Sequence, residues 1–364
     1  MPHPASARDY SRLARGLLPR DVWDYVNGGA GDEWTLAANR RALRRAALRP
    51  RVLVDVGGRD TRVRVMGAEV AAPIGVAPMA YHRLVHPEGE TATVRAAGDE
   101  GLVTVVSTFA SRTIEEIAAA ARGPLWFQLY CFRDRAITAD LIGRAESAGC
   151  RALVLTGDTP LLGRRDRDVR HGFTLPEGVT AANLRPSRSL GSGLKLADAT
   201  ADLLDPAVTW SVIDWLRGLT GLPILIKGVL TAEDAALAVR AGASGVIVSN
   251  HGGRQADGAI GALDALEEVV DRVGADAEVH VDGGIRRGAD VVKALALGAR
   301  MVFVGRPVLW GLAVSGEVGV REVLRMLKDE LDLTMALCGC PAVRDISRDR
   351  VRLSPPGGRE WRRS

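Results

Sequence analysis

Aromatic residues make up only 4% of the 364-residue chain, and cysteines number four. The net charge of +4 comes from arginines dispersed among Asp and Glu, with no long block of one sign. Few aromatic faces to stack on bases and no basic block argue against nucleic acid as a partner. The cysteines are Cys131, Cys150, Cys338 and Cys340. Cys338-Gly-Cys340 lacks a second ligand pair, so zinc is disfavoured and no metal is expected. Reduced, packed thiols in a cytoplasmic protein are the expected state. No apolar run approaches the ~20 residues of a membrane span. Residues 1–20 lack the apolar core of a signal peptide. The C-terminal stretch Ser354 to Ser364 does not end in the Ser-Lys-Leu peroxisomal address.

What the chain does have is a hydrophobic fraction of 47%, enough for a large core. Residues 6–48 read as helices. One opens at Pro19-Arg20-Asp21 and breaks at Asn27 to Gly31; the next carries Asn39 to Ala47. Residues 51–71 read as short extended pieces, Val52 to Val54 and Arg62 to Val65. From residue 73, apolar strands alternate with Ala-rich helices. The strands are Ile74–Pro78, Leu102–Ser107, Leu125–Tyr130, Ala152–Thr156, Pro223–Lys227, Gly245–Val248, Glu278–Asp282 and Met301–Gly305. Thr113 with Glu116 forms a capping box for the helix after the second strand. Helices near 307–315 and 318–337 close the chain. Eight units over about 250 residues fit a closed (β/α)₈ TIM barrel of the α/β class, with an N-terminal helical extension and an extra C-terminal helix. A barrel also gathers the polar strand ends onto one rim, whereas an open sheet would spread them along an edge. The expected organisation is one domain over 1–352, an irregular active-site loop over 157–205, and a flexible tail over 353–364.

Gly245 to Gln255 carries the chemistry. The strand ends in Ser249-Asn-His251-Gly-Gly-Arg254, a cluster with no packing use inside a barrel. The glycines let the backbone turn sharply, so His251 and Arg254 can face one cavity. An imidazole takes a proton near neutral pH, and a guanidinium holds a carboxylate through two hydrogen bonds. The pair suggests a site that grips an acid and removes a proton beside the carboxylate. Strands seven and eight run into Asp282-Gly-Gly284-Ile-Arg286 and Gly305-Arg306. Loops at those places in such barrels commonly hold a phosphate.

These stretches resemble the FMN-dependent 2-hydroxy-acid oxidase family, which includes glycolate, lactate and mandelate oxidases, over about residues 8–350. The resemblance rests on Asp24-Tyr25, Ala77-Pro78, His86-Pro-Glu-Gly-Glu90, Gln128-Leu-Tyr130, Thr156-Gly-Asp158-Thr-Pro160, Leu225-Ile-Lys227, Ser249 to Gln255, Asp282 to Arg286 and Gly305-Arg-Pro307. It implies that His251 is the active-site base, Arg254 the main carboxylate clamp and Arg165 a second one. Tyr25 and Tyr130 would contact the substrate carboxylate and hydroxyl. Asp158 would pair with the histidine and raise its pKa. It implies FMN as cofactor, bound by Ala77, Pro78, Met79, Ala80, Ser107, Gln128, Thr156, Lys227 and Ser249 along the ring and ribityl chain. Asp282, Gly284, Arg286, Gly305 and Arg306 would hold the ribityl end and phosphate. The implied activity is oxidation of an (S)-2-hydroxy acid to the 2-keto acid, with oxygen giving hydrogen peroxide; the implied assembly is a homotetramer. A dehydrogenase using a quinone or protein acceptor, and a non-catalytic flavin-binding protein, are the alternatives. His82, His86, His171 and His280 carry no evident chemistry.

The chain also departs from the glycolate oxidases. Phe109 stands where they have tryptophan, Met79 where they have threonine, and Val26 replaces a second tyrosine. Ala80-Tyr-His-Arg-Leu84 and Leu175 to Asn183 look more like bacterial hydroxymandelate oxidases, which favours an aromatic or bulky substrate. Ala80 matches the oxidase members and not the glycine of membrane-bound dehydrogenases, which favours oxygen.

Overall fold

Eight short strands, nearly all buried on both faces, close into a parallel barrel in a computed structural model that describes residues 4–184, 200 and 202–354. Before the barrel come β1 (Ala46–Leu48) and an antiparallel hairpin of β2 (Val63–Val65) and β3 (Ala68–Val70). The barrel strands are β4 (Ile74–Val76), β5 (Val103–Ser107), β6 (Leu125–Leu129), β7 (Leu153–Thr156), β8 (Ile224–Val229), β9 (Gly245–Val248), β10 (Glu278–Asp282) and β11 (Met301–Val304). β11 pairs with β4, which closes the ring. β-branched residues and leucines dominate these strands, as expected where both faces are covered. The TIM barrel read from the alternation of strands and helices is the architecture found.

The inside of the barrel is filled by Val103, Val105, Trp126, Val154, Leu225, Ile247, Met301 and Phe303. Gly75 is required there: a Cβ on it would lie 2.7 Å from the Phe303 ring. The β2–β3 hairpin contributes Val63, Val65 and Val70 to the same cluster and so closes the floor. The Met66 N–H donates to Glu278 at the start of β10, which fixes the hairpin in place. A second, larger cluster lies between the strands and the surrounding helices. Burying that apolar surface, at roughly 25 cal/mol per Å², is the main force holding the ring closed.

Local signals set the helix bounds. Thr113 and Glu116 form the expected capping box on Ile114–Ala120. The C-terminal helical stretch Arg306–Leu337 breaks at Ser315 and Gly316, where Gly316 has φ +55°. Four boundaries differ from the sequence reading. The third helix, Trp34–Arg45, stops before Ala46 because β1 pairs antiparallel with β12 (Val351–Leu353). Leu353 is therefore part of a ladder and not of a tail; residues 355–364 lie outside the described residues. Val52 to Val54 form no strand, and Leu53 is turned outward at φ +58°. The loop after β7 contains a short helix, Asp166–His171, and its residues 185–199 and 201 lie outside the described residues.

Candidate active site

At the C-terminal rim, the ends of successive strands supply polar groups to one cavity. Two strings of hydrogen bonds form its base. Ser107 donates to Gln128 Oε1 (3.3 Å), and Gln128 Nε2 donates to Thr156 (2.9 Å). Lys227 Nζ donates to Ser249 (2.9 Å), and Ser249 donates to Asp282 Oδ1 (2.7 Å). Lys227 is buried and lies 3.4 Å from Asp282 Oδ2. These side chains sit at strand ends because the pleat points them inward where the apolar barrel filling stops.

β9 runs directly into the reactive turn. His251, Gly252 and Gly253 all have positive φ, of +57°, +64° and +75°. A histidine in that region costs on the order of 1–3 kcal/mol, a strain held by surrounding structure and typical of functional sites. The His251 N–H donates to Ser249 Oγ (3.0 Å), and Asn250 is fixed through Asn39. The His251 Nδ1 lies 3.0 Å from Asp158 Oδ1. This leaves Nε2 as the ring nitrogen available for chemistry. Burial depresses the His251 pKa and outweighs the opposing pull of Asp158; Lys227 adds to the depression. Asp158 acts in the expected direction, raising the His251 pKa, but desolvation wins and the net shift is downward. Burial also opposes ionisation of Asp158, yet His251 and Lys227 overcome it, and its pKa is lowered. The resting pair is a neutral imidazole held by a carboxylate, which is the state a base requires.

Arg254 Nη1 donates to the carbonyls of Tyr25 (2.7 Å) and Gly28 (2.9 Å). Its guanidinium lies 5.2 Å from the centre of the Tyr25 ring, and that of Arg165 lies 5.8 Å from the same centre. Phe173 stacks on Tyr25 at 4.5 Å. Arg306 donates to the carbonyls of Val26, Gly252 and Gly28, so it ties the rim together. Arg286 lies over the Trp310 ring at 4.9 Å. Burial, first of all, and neighbouring arginines push Arg254, Arg286 and Arg306 down to about 9. All three stay charged at neutral pH. Arg165, Lys227, Arg254, Arg286 and Arg306 all line the cavity, while among the described residues Asp282 is its one lining carboxylate. Such an excess of buried positive charge suits anionic ligands.

The segment carrying Arg165 is held from outside by an ionic hub. Arg20, Arg167 and His171 converge on the buried Asp24 at 3.0, 3.1 and 3.0 Å. Arg167 also reaches Glu33 at 2.6 Å. His171, which carried no evident chemistry in the sequence, is therefore a partner in this hub.

Of the residues singled out from the sequence, all but Asp158 and Ser249 line the one cavity, which encloses about 1160 Å³ including its open mouth. Asp158 stands behind His251, and Ser249 lies beneath Lys227. Gly283 and Gly284 have φ of +106° and +82°, which brings their backbone close to the cavity at its Arg286 end. The sequence reading missed Tyr81, Leu162 and Leu309, which also form its wall. Tyr81 offered one signal, its place in the loop directly after β4. Leu309 lies on a helix and offered none. Among the described residues, no group of three or more His, Cys, Asp or Glu could hold a metal ion, and no helix is long and apolar enough to cross a membrane.

A family model described as FMN-dependent dehydrogenase matches residues 14–353. Glycolate oxidase 3 of Arabidopsis thaliana is 47% identical over 350 residues, covering 94% of this chain and 95% of that protein. A peroxisomal (S)-2-hydroxy-acid oxidase of Oryza sativa subsp. japonica is 48% identical over 350 residues, covering 96% of each. A solved structure of mandelate oxidase with (S)-4-hydroxymandelic acid superposes with a TM-score of 0.92 at 46% identity, covering 96% of this chain and 99% of that one.

Proposed function

This chain belongs to the FMN-dependent dehydrogenase family, and we propose that it oxidises an aromatic (S)-2-hydroxy acid to the 2-keto acid, with oxygen as electron acceptor and hydrogen peroxide as product. The observation that carries the reading is the neutral His251 held 3.0 Å from Asp158, on the same cavity as two arginines that flank Tyr25.

The donor set fits FMN. Hydroxyl, amide and ammonium groups from β5 to β8 suit a ring with hydrogen-bonding edges. Arg286, Arg306 and the Gly283–Gly284 turn suit a phosphate. FMN supplies the two-electron acceptor that no side chain provides. Arg254 and Arg165 hold the substrate carboxylate, each charge-assisted contact contributing about 1.5–3 kcal/mol. Tyr25 and Tyr130 orient the carboxylate and hydroxyl. His251 Nε2 removes the proton, and Asp158 stabilises the imidazolium that results. Burial, with Asp158 adding to it, raises the Tyr130 pKa well above the ordinary phenol range, so it acts as a neutral donor. Phe109, tilted against Tyr130 at 5.2 Å, gives the cavity an aromatic wall that suits a ring-bearing substrate.

All four cysteines are buried and unpaired, which supports a reducing compartment such as the cytoplasm. Val52 and Leu53 are almost fully exposed apolar side chains, which supports the homotetramer implied by resemblance. The test is spectroscopic. Purified holoenzyme is yellow; anaerobic mandelate should bleach it faster than lactate or glycolate, and air should restore the colour with stoichiometric peroxide. Failure of every 2-hydroxy acid to bleach it sinks the reading. Bleaching with slow recovery in air assigns a different acceptor.

A further inference from the structure

The two arginines that flank Tyr25 are held in different ways. Arg254 is pinned by hydrogen bonds to two backbone carbonyls, those of Tyr25 and Gly28. Arg165 is buried, and its Nε has no hydrogen-bond partner. The carboxylate beside it belongs to Asp168, in the first turn of the short helix Asp166–His171 that Arg165 precedes. Arg165 Nη1 lies 3.7 Å from Asp168 Oδ2, an ion pair too long for a charge-assisted hydrogen bond. Asp168 Oδ1 is likewise buried without a partner. Burial raises the Asp168 pKa against the pull of Arg165 and Arg254, and the Asp24 carboxylate adds to the rise. Arg165 lines the cavity and Asp168 does not, so Asp168 acts on a ligand there through the arginine.

We propose that Asp168 is a positioning residue that keeps Arg165 loosely paired in the empty site and weakens its grip on the carboxylate of substrate and product. The proposal rests on the 2-hydroxy-acid reading above, in which Arg165 and Arg254 hold that carboxylate. In the empty site, Asp168 offsets buried positive charge that would otherwise be uncompensated. At 3.7 Å the pair is loose, so Arg165 engages a ligand without breaking a hydrogen bond to Asp168. Once a ligand carboxylate lies against the guanidinium, two negative charges compete for it, and they repel each other across a partly desolvated site. The keto acid product carries the same carboxylate, so its release is helped equally. A residue that only supported the helix would act with the opposite sign, because its loss would loosen Arg165 and weaken binding.

The experiment compares wild-type holoenzyme with Asp168→Asn, which removes the charge and keeps the shape. Anaerobic flavin reduction by (S)-mandelate at about pH 8, far above the ordinary carboxylate range, gives a Kd and a limiting rate. We expect Kd to fall about three- to tenfold in the variant, the size of a screened repulsion between neighbouring carboxylates. The limiting rate should stay within about twofold, because substrate and transition state carry the same carboxylate. A second readout needs no turnover. Binding of benzoate and of its neutral amide, benzamide, is followed through the flavin absorbance; benzoate should tighten by a similar factor and benzamide should not change. Asp168→Glu restores the charge and should return benzoate affinity to near the wild-type value. Asp168→Ser serves if the asparagine variant does not fold, with the same expectation. Benzoate binding that is weaker or unchanged in the variant overturns the proposal, and so does an equal gain for benzamide. If no 2-hydroxy acid reduces the wild-type flavin, the 2-hydroxy-acid reading fails, while the benzoate and benzamide pair still reads the Asp168 charge. Benzoate that binds neither protein overturns both.

Discussion

The two ends of the barrel each hold a histidine that burial drives toward the neutral form, and they differ in what surrounds it. His251 at the rim has a carboxylate 3.0 Å away and lies on a turn with positive φ. His280, in the middle of β10, sits edge-on between Trp126 and Phe303, and neither ring nitrogen has a hydrogen-bond partner. Burial, with Arg300 adding to it, pushes His280 down to about 3. The lesson is that depression of a pKa does not mark a base. A base needs a partner hydrogen-bonded to it that stabilises its protonated form and an open side facing a ligand; His251 has both, whereas His280 has only the Glu278 carboxylate 3.5 Å from Nε2, outside hydrogen-bond geometry, and is fully buried.

Replacing the rim histidine is the strongest test of that contrast. His251→Gln should keep bound FMN, because the flavin contacts lie elsewhere, and should lose about 10²- to 10⁴-fold in the rate of flavin reduction. Since burial places the His251 pKa below the ordinary imidazole value, the acid limb of the wild-type kcat/KM profile should lie below about pH 6.5. A near-normal rate in the variant would remove His251 from the mechanism.

The floor histidine should act on stability instead. Its pKa is lower in the folded protein than in the unfolded chain, so the unfolded chain binds more protons as pH falls. The stability of the wild type therefore declines between about pH 6.5 and 3, and above that window His280 has no effect on pH dependence. At pH 5 this amounts to about 2 kcal/mol relative to neutral pH. His280→Leu, of similar volume, should lack that share of the acid loss while leaving kcat unchanged. Denaturant unfolding at pH 7.5 and pH 5 reads the difference. Identical acid losses in the two proteins would show that the floor histidine is not protonation-coupled to folding.

How legible each end was follows from what kind of information sets it. The barrel was readable because buried strands and Ala-rich helices alternate with a period the chain repeats eight times. Gly245–Val248 and Glu278–Asp282 fall where the apolar pattern places them. The rim residues were readable as polar punctuation after apolar runs, which is why Lys227, His251 and Asp282 stood out. What escaped depends on distant partners. The β1–β12 ladder joins Ala46 to Leu353, a separation that local pattern does not encode. Tyr81 escaped because a tyrosine after a strand looks like packing until it is seen to line the cavity. The sign of the His251 shift escaped because sequence names the carboxylate but not the depth of burial.

The smallest expected effect concerns how the rim is held, and it separates the two ends by mechanism. The floor is held by apolar packing, whereas the Arg165 segment is docked by the Asp24 hub. Arg167 joins the short helix Asp166–His171 to Asp24 on one helix and to Glu33 at the start of another. Asp24 precedes Tyr25, so this link sets the distance between Arg165 and Tyr25 without touching a ligand. Arg167 is a third exposed, and partly screened pairs of this kind contribute only about 0.2–1 kcal/mol. Arg167→Met keeps the apolar stem and should raise KM about two- to fivefold with kcat nearly constant, and Arg167→Lys should recover part of the loss. Salt sharpens the comparison. Raising ionic strength toward 1 M shortens the screening length to about 3 Å, so KM of the wild type should rise toward that of the variant, while the unfolding of the apolar floor is not weakened in parallel. A KM indifferent to both the substitution and salt would mean that packing of Phe173 on Tyr25, not charge, docks the segment.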